Sequence, residues 1–580
     1  MYSDSFLDVD IAVLMSSHTL FLLIMSIEFK DVIDIRLLAS FLGIEYKELT
    51  YILYAKRVEN LYYSFEIPKK NGGMRCINAP LEPLKHVQRI LAKRLMVIQE
   101  RHYLKSNEIV HGFTTHRGII TNSKNHRNKR FVMNLDLEDF FDSFHFGRVK
   151  GYFQKNQYFM LPEEVAACIA NLACYNGKLP QGAPSSPVIT NLICSILDRR
   201  LAAIAKKYLM TYTRYADDIT FSTNSKTFLD DKDKMLSEVY AVIGKSGFRV
   251  NQSKTRVSFC DSRQEVTGLV VNRSIGVKRE FYKETRSMLD HLYRGLPVEH
   301  NGAEISQKQI EGRLAFINQI DKYNNILENK SKRPQLLNGR ERQYQRFLFY
   351  RYFFAQPKPV IVTEGKTDIV YIRAALQQLF AKYPDLIKKK ADGTFEYKVS
   401  FLRKTKRLTF FLGIKHDGAD TMKNIYNAFT GTNSFPNLFS SIKKYGSKPS
   451  NPVILLFDNE TEKNYPLYKF LNYTHSSLEE NLSKRLFENL YICTIPLVND
   501  KKECEIEDLF PEEVLNHEID GKRLDRKGEK DRNNYYTKQE FATYITKNMN
   551  TIDFSYFVPL LDELSTIVTT FNADNPEYSG

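Results

Sequence analysis

A chain of 580 residues with 83 Lys and Arg against 68 Asp and Glu carries a formal net charge of +15, and 43% of its residues are apolar. It is long enough for two or more packed domains, and its charge favours a polyanionic partner, nucleic acid or an acidic membrane, over a basic one. Seven cysteines without a CxxC pair argue against zinc ribbons and disulfide frameworks and fit a reducing cytoplasm.

The apolar run Ile11–Met25 is interrupted by Ser16, Ser17, His18 and Thr19, follows acids rather than a basic stretch, and is short for a membrane span. It predicts a buried helix, with no stable membrane association. Next, Ile67-Pro-Lys-Lys-Asn-Gly-Gly-Met-Arg75 places Lys69, Lys70 and Arg75 at a turn. These are point and forked donors suited to phosphate, or an ordinary basic hairpin on a basic surface. The strand Phe131-Val-Met-Asn-Leu-Asp136 ends on a carboxylate. A Gly/Pro loop, Leu179-Pro-Gln-Gly-Ala-Pro-Ser-Ser-Pro187, then leads into a helix whose apolar face is marked by Ile189, Leu192 and Ile196. Thr213-Arg-Tyr-Ala-Asp-Asp-Ile-Thr-Phe221 predicts a hairpin with Asp217 and Asp218 at its tip.

Adjacent carboxylates repel, so such a pair is stable at an exposed turn or beside a cation. Two β elements can bring Asp136, Asp217 and Asp218 together, the set that polymerase chemistry needs to hold two metal ions roughly 4 Å apart. The plainer alternative is a pair of solvated turns, since Glu138, Asp139 and Asp142 are also acidic.

The ordered set of the Asp136 strand, LPQGAPSSP and YADD resembles the palm of reverse transcriptases, over about residues 60 to 320. The resemblance implies a two-metal Mg²⁺ site on Asp136, Asp217 and Asp218. It implies fingers in which Lys69, Lys70 and Arg75 grip a deoxynucleoside triphosphate, and nucleotide or template contacts from Gln181, Gly182 and Tyr215. Phe141 matches the steric gate that excludes a ribose 2′ hydroxyl. Gly247-Phe-Arg-Val-Asn-Gln-Ser-Lys254 looks like the motif with a lysine near the leaving group, which implies that Lys254 protonates pyrophosphate. The segments His111–Asn122 and Val266–Asn272 are similar to those of the bacterial retron branch, and Ile310–Asn318, with helical apolar spacing, is the thumb candidate.

The basic, aromatic stretch Arg340–Arg351 either touches nucleic acid or forms an amphipathic helix closing the thumb. After Gln356-Pro-Lys-Pro359 the pattern becomes strand, helix, strand, helix, an α/β unit. Val360–Thr363 runs into Glu364-Gly-Lys-Thr-Asp368, and Val453–Phe457 runs into Asp458-Asn-Glu460. Acids at the carboxyl ends of buried strands fall where open α/β sheets place ligands. Glu364, Asp368, Asp458 and Glu460 together make a hard oxygen set for Mg²⁺ or Mn²⁺, although Asp368 alone could simply begin its helix. Glu505, Glu507 and Asp508 add acids further along. EGKTD and DNE after hydrophobic strands resemble a Toprim domain, the metal-dependent fold of topoisomerases, bacterial primases and overcoming-lysogenization-defect nucleases. Glu460 departs from that pattern by standing in for an aspartate. The resemblance implies a nuclease with Glu364 as a catalytic residue and Lys538 steadying phosphorane charge; otherwise Lys538 is one more solvated lysine.

The expected fold is an α+β right-hand polymerase of fingers, palm and thumb followed by an α/β Toprim-like domain. The expected parts are an N-terminal helical segment (1–60), fingers and palm (61–265), thumb and basic connector (266–355), and the Toprim-like domain with a helical extension (356–580). The retron resemblance implies a structured noncoding RNA as template and primer, an RNA-linked single-stranded DNA product, and, with the fused nuclease, a role in anti-phage defence. A mobile-element reverse transcriptase with an endonuclease, a noncatalytic Toprim binding module, and a homo-oligomeric state all stay open.

Overall fold

The computed structural model describes residues 28–69, 72–104, 108–327, 337–415, 420–432, 435–526, 531 and 533–575. The segment Ile11–Met25 and Lys70 lie outside them. The chain divides into two compact units, one up to Lys278 and one from Arg279. Among the described residues no helix is long and apolar enough to cross a membrane.

In the first unit β1 (Tyr62–Pro68) and β2 (Met74–Pro80) pair antiparallel, with Lys69 following β1 and Arg75 on β2. A separate antiparallel sheet contains β3 (Phe131–Asp136), β4 (Thr211–Tyr215), β5 (Asp218–Thr223) and β6 (Arg256–Phe259), in the order β4-β5-β3-β6. Phe131, Val132, Met133 and Leu135 of β3 are buried, whereas Asn134 and Asp136 are half-buried, so the strand carries its acid out of the core at its last residue. The helix Ser186–Lys207 belongs to the same core, and Pro187 in its first turn needs no backbone donor there. Its buried stripe runs through Ile189, Leu192, Leu197, Leu201 and Ile204. Each fully buried leucine of this kind contributes about 1.5–3 kcal/mol. Ile196, expected on the same face, is 43% exposed, because Leu197 takes up the stripe and leaves Ile196 at the mouth of a cavity.

The second unit contains a five-stranded sheet. Ser400–Phe401, Val360–Val362, Val453–Phe457 and Leu490–Thr494 are parallel in that spatial order, and Ser483–Phe487 is antiparallel at the edge. Val453–Phe457 and Leu490–Thr494 are buried at every residue, the pattern of parallel strands covered on both faces. The expected alternation of strand and helix is present, with Asp368–Gln378 the first helix of the α/β pattern. The thumb candidate forms the helix Gln307–Leu327, and its Leu314 shares a core with Leu289, Phe347, Val362 and Leu455. Arg340–Arg351 lies in the helix Gly339–Phe349 and the π-turn Tyr350–Phe354. Helical spacing turns Tyr344, Phe347, Leu348 and Tyr350 into the core, so these aromatics are packing residues and not a stacking surface for bases.

Candidate functional site

Antiparallel register places Asp136 of β3 directly opposite Asp218 of β5, and β4 returns through Ala216 and Asp217 so that Tyr215 also pairs with Asp218. The hairpin tip and the strand end expected from the sequence therefore meet. The Asp217 carbonyl accepts from Leu137 N–H at 3.1 Å, and Asn251 N–H donates to the Asp136 carbonyl at 2.8 Å, which ties both backbones into the sheet end. Ala216 sits at φ 55°, a conformation that a residue with a Cβ adopts only when its surroundings hold it there.

Those surroundings are specific. Arg214, wholly buried, donates from Nη1 to the Ala216 carbonyl at 3.1 Å and pairs through Nε and Nη2 with Asp198, each at 2.8 Å. Gly112 lies so close that a Cβ there would come within 2.6 Å of the Ala216 nitrogen. Neither contact was expected from composition or spacing. The only hint was a charged residue inside an otherwise apolar strand, which demands a buried partner.

Electrostatics mark the same place. Burial, with the Asp136 charge, raises Asp217, while Lys254 and Arg75 oppose the shift. Asp218 reaches solvent, yet protein crowds its carboxylate, and desolvation with the Asp217 and Asp136 charges pushes it up to about 7. Lys254 Nζ lies 2.8 and 3.0 Å from the two Asp136 oxygens, and that hydrogen bond holds its ammonium above the usual lysine range. Phe141 is half-buried in the turn after Asp136, edge-on to Phe113 with centroids 6.3 Å apart. The Gln181 carbonyl accepts from Asn78 N–H at 2.8 Å, joining the Gly/Pro loop to β2. Gly182, at φ +120°, approaches the Asn78 carbonyl so closely that a Cβ would stand 2.6 Å from it. Lys69 is exposed at the β1–β2 turn.

In the second unit Glu364 and Asp458 follow neighbouring parallel strands, and Asp458 N–H donates to Glu364 Oε1 at 3.2 Å. Asp368 begins its helix and accepts from Gly365 N–H at 2.7 Å, so it closes the EGKTD loop as well as facing the other acids. Burial, reinforced by Asp368 and Glu460, raises Glu364 to about 8. Burial and the Glu364 charge hold Asp458 well above the carboxylate range, and burial with Glu505 raises Glu460 to about 7. Lys538 is the first residue of the helix Lys538–Asn548, and its Nζ lies 3.2 Å from Glu505 and 3.1 Å from Glu507. Sequence reasoning missed Lys404, which donates to the Thr363 and Glu364 carbonyls at 3.0 and 3.2 Å. Among the described residues, no group of three or more His, Cys, Asp or Glu side chains is already converged as for a metal ion.

Residues 67–287 match the family described as reverse transcriptase (RNA-dependent DNA polymerase). The chain is 35% identical over 317 residues to the retron Mx162 reverse transcriptase of Myxococcus xanthus, covering 49% of this chain and 63% of that one. It is 36% identical over 282 residues to the retron Mx65 reverse transcriptase of the same organism, covering 45% of this chain and 61% of that one. It is 34% identical over 280 residues to the retron Ec86 reverse transcriptase of Escherichia coli, covering 48% of this chain and 82% of that one. The chain thus spans less than two thirds of the two Myxococcus proteins. A solved telomerase of Candida albicans, in complex with a fragment of telomeric RNA, aligns at a TM-score of 0.30 and 13% identity. That alignment covers 50% of this chain and 60% of the telomerase, a likeness that carries no argument.

Proposed function

The chain belongs to the retron reverse transcriptase family, and from that membership we propose that it is an RNA-directed DNA polymerase copying a structured noncoding RNA into single-stranded DNA that stays joined to the RNA. The observation that carries the reading is Asp136 opposite Asp218 with Asp217 in the intervening turn. These three carboxylates would hold Mg²⁺. They are all hard oxygen donors, and the crowding that raises Asp217 and Asp218 is what a divalent cation would relieve. Bound there, Mg²⁺ would activate the primer hydroxyl and offset charge on the departing pyrophosphate.

The chain's own groups supply the rest. As the primer hydroxyl gives up its proton to solvent and its oxygen bonds to the α-phosphorus, the α–β bridge breaks, and Lys254 leaves Asp136 and gives a proton to pyrophosphate. Arg75, with Lys69 and Lys70, pairs with the triphosphate of the incoming nucleotide. The Phe141 ring takes the space a ribose 2′ hydroxyl requires, selecting deoxynucleotides, and Gln181, Gly182 and Tyr215 support the template pair. All seven cysteines are free, which suits a cytoplasmic protein.

The second unit, in this proposal, is a Toprim-like nuclease for anti-phage defence, held in check by the RNA-linked DNA. Glu364, Asp368, Asp458 and Glu460 would take Mg²⁺ or Mn²⁺. What supports it is the placement of Glu364 and Asp458 after neighbouring parallel strands, with burial keeping both toward the neutral form until a cation arrives. A second reading, a noncatalytic nucleic-acid binding module, is favoured by one observation: Lys538 is engaged by Glu505 and Glu507.

The test is to express the chain with its native flanking DNA, extract co-purifying nucleic acid from wild type, Asp217→Asn and Glu364→Ala, and digest each with RNase or DNase. A discrete single-stranded DNA joined to RNA is expected in wild type and Glu364→Ala and absent from Asp217→Asn. Its absence from all three removes the retron reading. Metal-dependent cleavage by wild type that persists in Glu364→Ala removes the nuclease assignment, and no cleavage by wild type leaves the binding module.

A further inference from the structure

A cavity of about 950 Å³ in the first unit is lined by none of Asp136, Asp217, Asp218 or Lys254. Its walls come from the helices Phe146–Lys155 and Ser186–Lys207 and from the chain around Gln99–Leu104. On one side His102 and Tyr158 stack with ring centroids 4.1 Å apart and planes at 20°. The Tyr103 and Tyr152 hydroxyls, 3.0 Å apart, and Asn156 form a polar shelf beside them.

The rim is strongly cationic. Lys155, Arg199, Arg200 and Lys245 are exposed around it, and among the described residues no carboxylate forms an ion pair with any of the four. Among the described residues the one acid lining the cavity, Asp198, is buried and already neutralised by Arg214. Arg148, also in the wall, is spent on structure: it donates to the Ser143 and Ser246 carbonyls and lies over the rings of Phe144 and Phe248. Uncompensated cations around an aromatic platform suit one chemistry, a flat ring flanked by anions.

We propose that this cavity binds a single-stranded nucleic-acid segment, with a base against the His102–Tyr158 pair and the flanking phosphates on Lys155, Arg199, Arg200 and Lys245. Stacking on a ring face and phosphate pairing are indifferent to base identity, so the site reads strand and not sequence. None of the three carboxylates proposed to hold Mg²⁺ lines it. The buried Asp198–Arg214 pair stands between it and the turn that carries Asp217 and Asp218.

The experiment uses the full chain with its proposed cleft saturated by an RNA–DNA hybrid duplex. It is irradiated with single-stranded oligonucleotides carrying 5-iodouridine (RNA) or 5-iododeoxyuridine (DNA), and crosslinked peptides are mapped by mass spectrometry. Crosslinks at Tyr158 or His102 that survive the duplex are expected, with yield falling at least tenfold in Arg199→Glu/Lys245→Glu. Because both substituted residues are exposed, an unchanged thermal midpoint should accompany that loss. In Arg199→Gln/Lys245→Gln the slope of log affinity against log salt for the single strand should shrink by about 1.4, roughly 0.7 for each cation removed. Crosslinking by the RNA probe, the DNA probe or both identifies which strand supplies the segment. Crosslinks confined to the β1–β2 hairpin and the 213–221 turn, or an unchanged yield in the Glu pair, would overturn the proposal, and because crosslinking reads binding alone, it does so whether or not the chain synthesises DNA.

Discussion

Arg214 and Asp198 form a two-pronged ion pair with both side chains sealed from solvent, Nε to Oδ1 and Nη2 to Oδ2 each at 2.8 Å. The Tyr212 hydroxyl also donates to Asp198, and the remaining guanidinium nitrogen reaches Asn191 and the Ala216 carbonyl. One buried cation thus ties the Ser186–Lys207 helix to the turn that carries Asp217 and Asp218. Despite burial, which disfavours it, the Asp198 charge keeps Arg214 firmly protonated.

Removing one partner leaves the other charged and unpaired in the core. Asp198→Ala should therefore cost about 3–5 kcal/mol. Hydrogen exchange across residues 211–223 reads the loss as a fall in protection on the order of 10²–10⁴-fold. Arg214→Met/Asp198→Leu, which leaves no orphan charge, should lose less than Asp198→Ala. Equal protection in wild type and Asp198→Ala would show that the pair does not hold the hairpin.

Gly112 makes the second hold on that turn. Its carbonyl accepts from Asn191 at 2.8 Å, and an added Cβ would meet the Ala216 nitrogen at 2.6 Å, a backbone atom with no freedom to swing aside. Gly112→Ala should displace the turn and lower the rate constant of primer extension on an RNA template on the order of 10²-fold. A rate within twofold of wild type would mean that the turn tolerates the shift.

Much of this architecture was legible because the relevant interactions are local. The alternation and turn residues of Thr213–Phe221 give the hairpin, the acid at the end of Phe131–Asp136 gives its partner, and the wholly apolar Val453–Phe457 gives a strand covered on both faces. Long-range pairing was legible where a motif marks both ends, as for Asp136 and the 217–218 turn, and not elsewhere. Nothing near Arg214 in the sequence names Asp198, and Lys404 is 40 residues from the Glu364 carbonyl it contacts. Arg340–Arg351 was ambiguous for a different reason: aromatic residues at helical spacing suit both a core and a base-stacking face, and only packing decides between them.

His126 predicts a pH dependence of stability. Its ring is fully buried, with Nδ1 at 2.7 Å from Ser222 Oγ and Nε2 at 2.7 Å from Thr213 Oγ1, and burial holds it down to about 3 from an ordinary 6.5. Between those values the unfolded chain binds a proton that the folded one refuses, so this contribution is complete above pH 6.5 and erodes as pH falls. His126→Asn should be less stable than wild type at pH 7, and the gap should narrow by about 1.4 kcal/mol per pH unit below roughly pH 6. Urea unfolding of both proteins from pH 7 to pH 5 measures it. A gap independent of pH would mean that His126 is not held neutral in the fold.

Asp218 predicts the opposite sign for stability and a matching dependence for cation binding. Its carboxyl is raised to about 7 from 3.8, so between those values the folded chain binds more protons than the unfolded one, and without a divalent cation its contribution to stability declines as pH rises. A bound cation requires the ionised form. Mn²⁺ affinity measured by titration should therefore weaken as pH drops below 7, on the order of tenfold per unit for each proton displaced. Lys254 opposes the rise of Asp218, so Lys254→Met should move that limb to higher pH. The same variant frees both Asp136 oxygens from the ammonium that now covers them, so Mn²⁺ binding at pH 8.5 should be retained while primer extension falls by about 10²–10⁴-fold through loss of the proton donor. Loss of both at pH 8.5 would make Lys254 a structural support of the carboxylates, and retention of both would remove it from the chemistry.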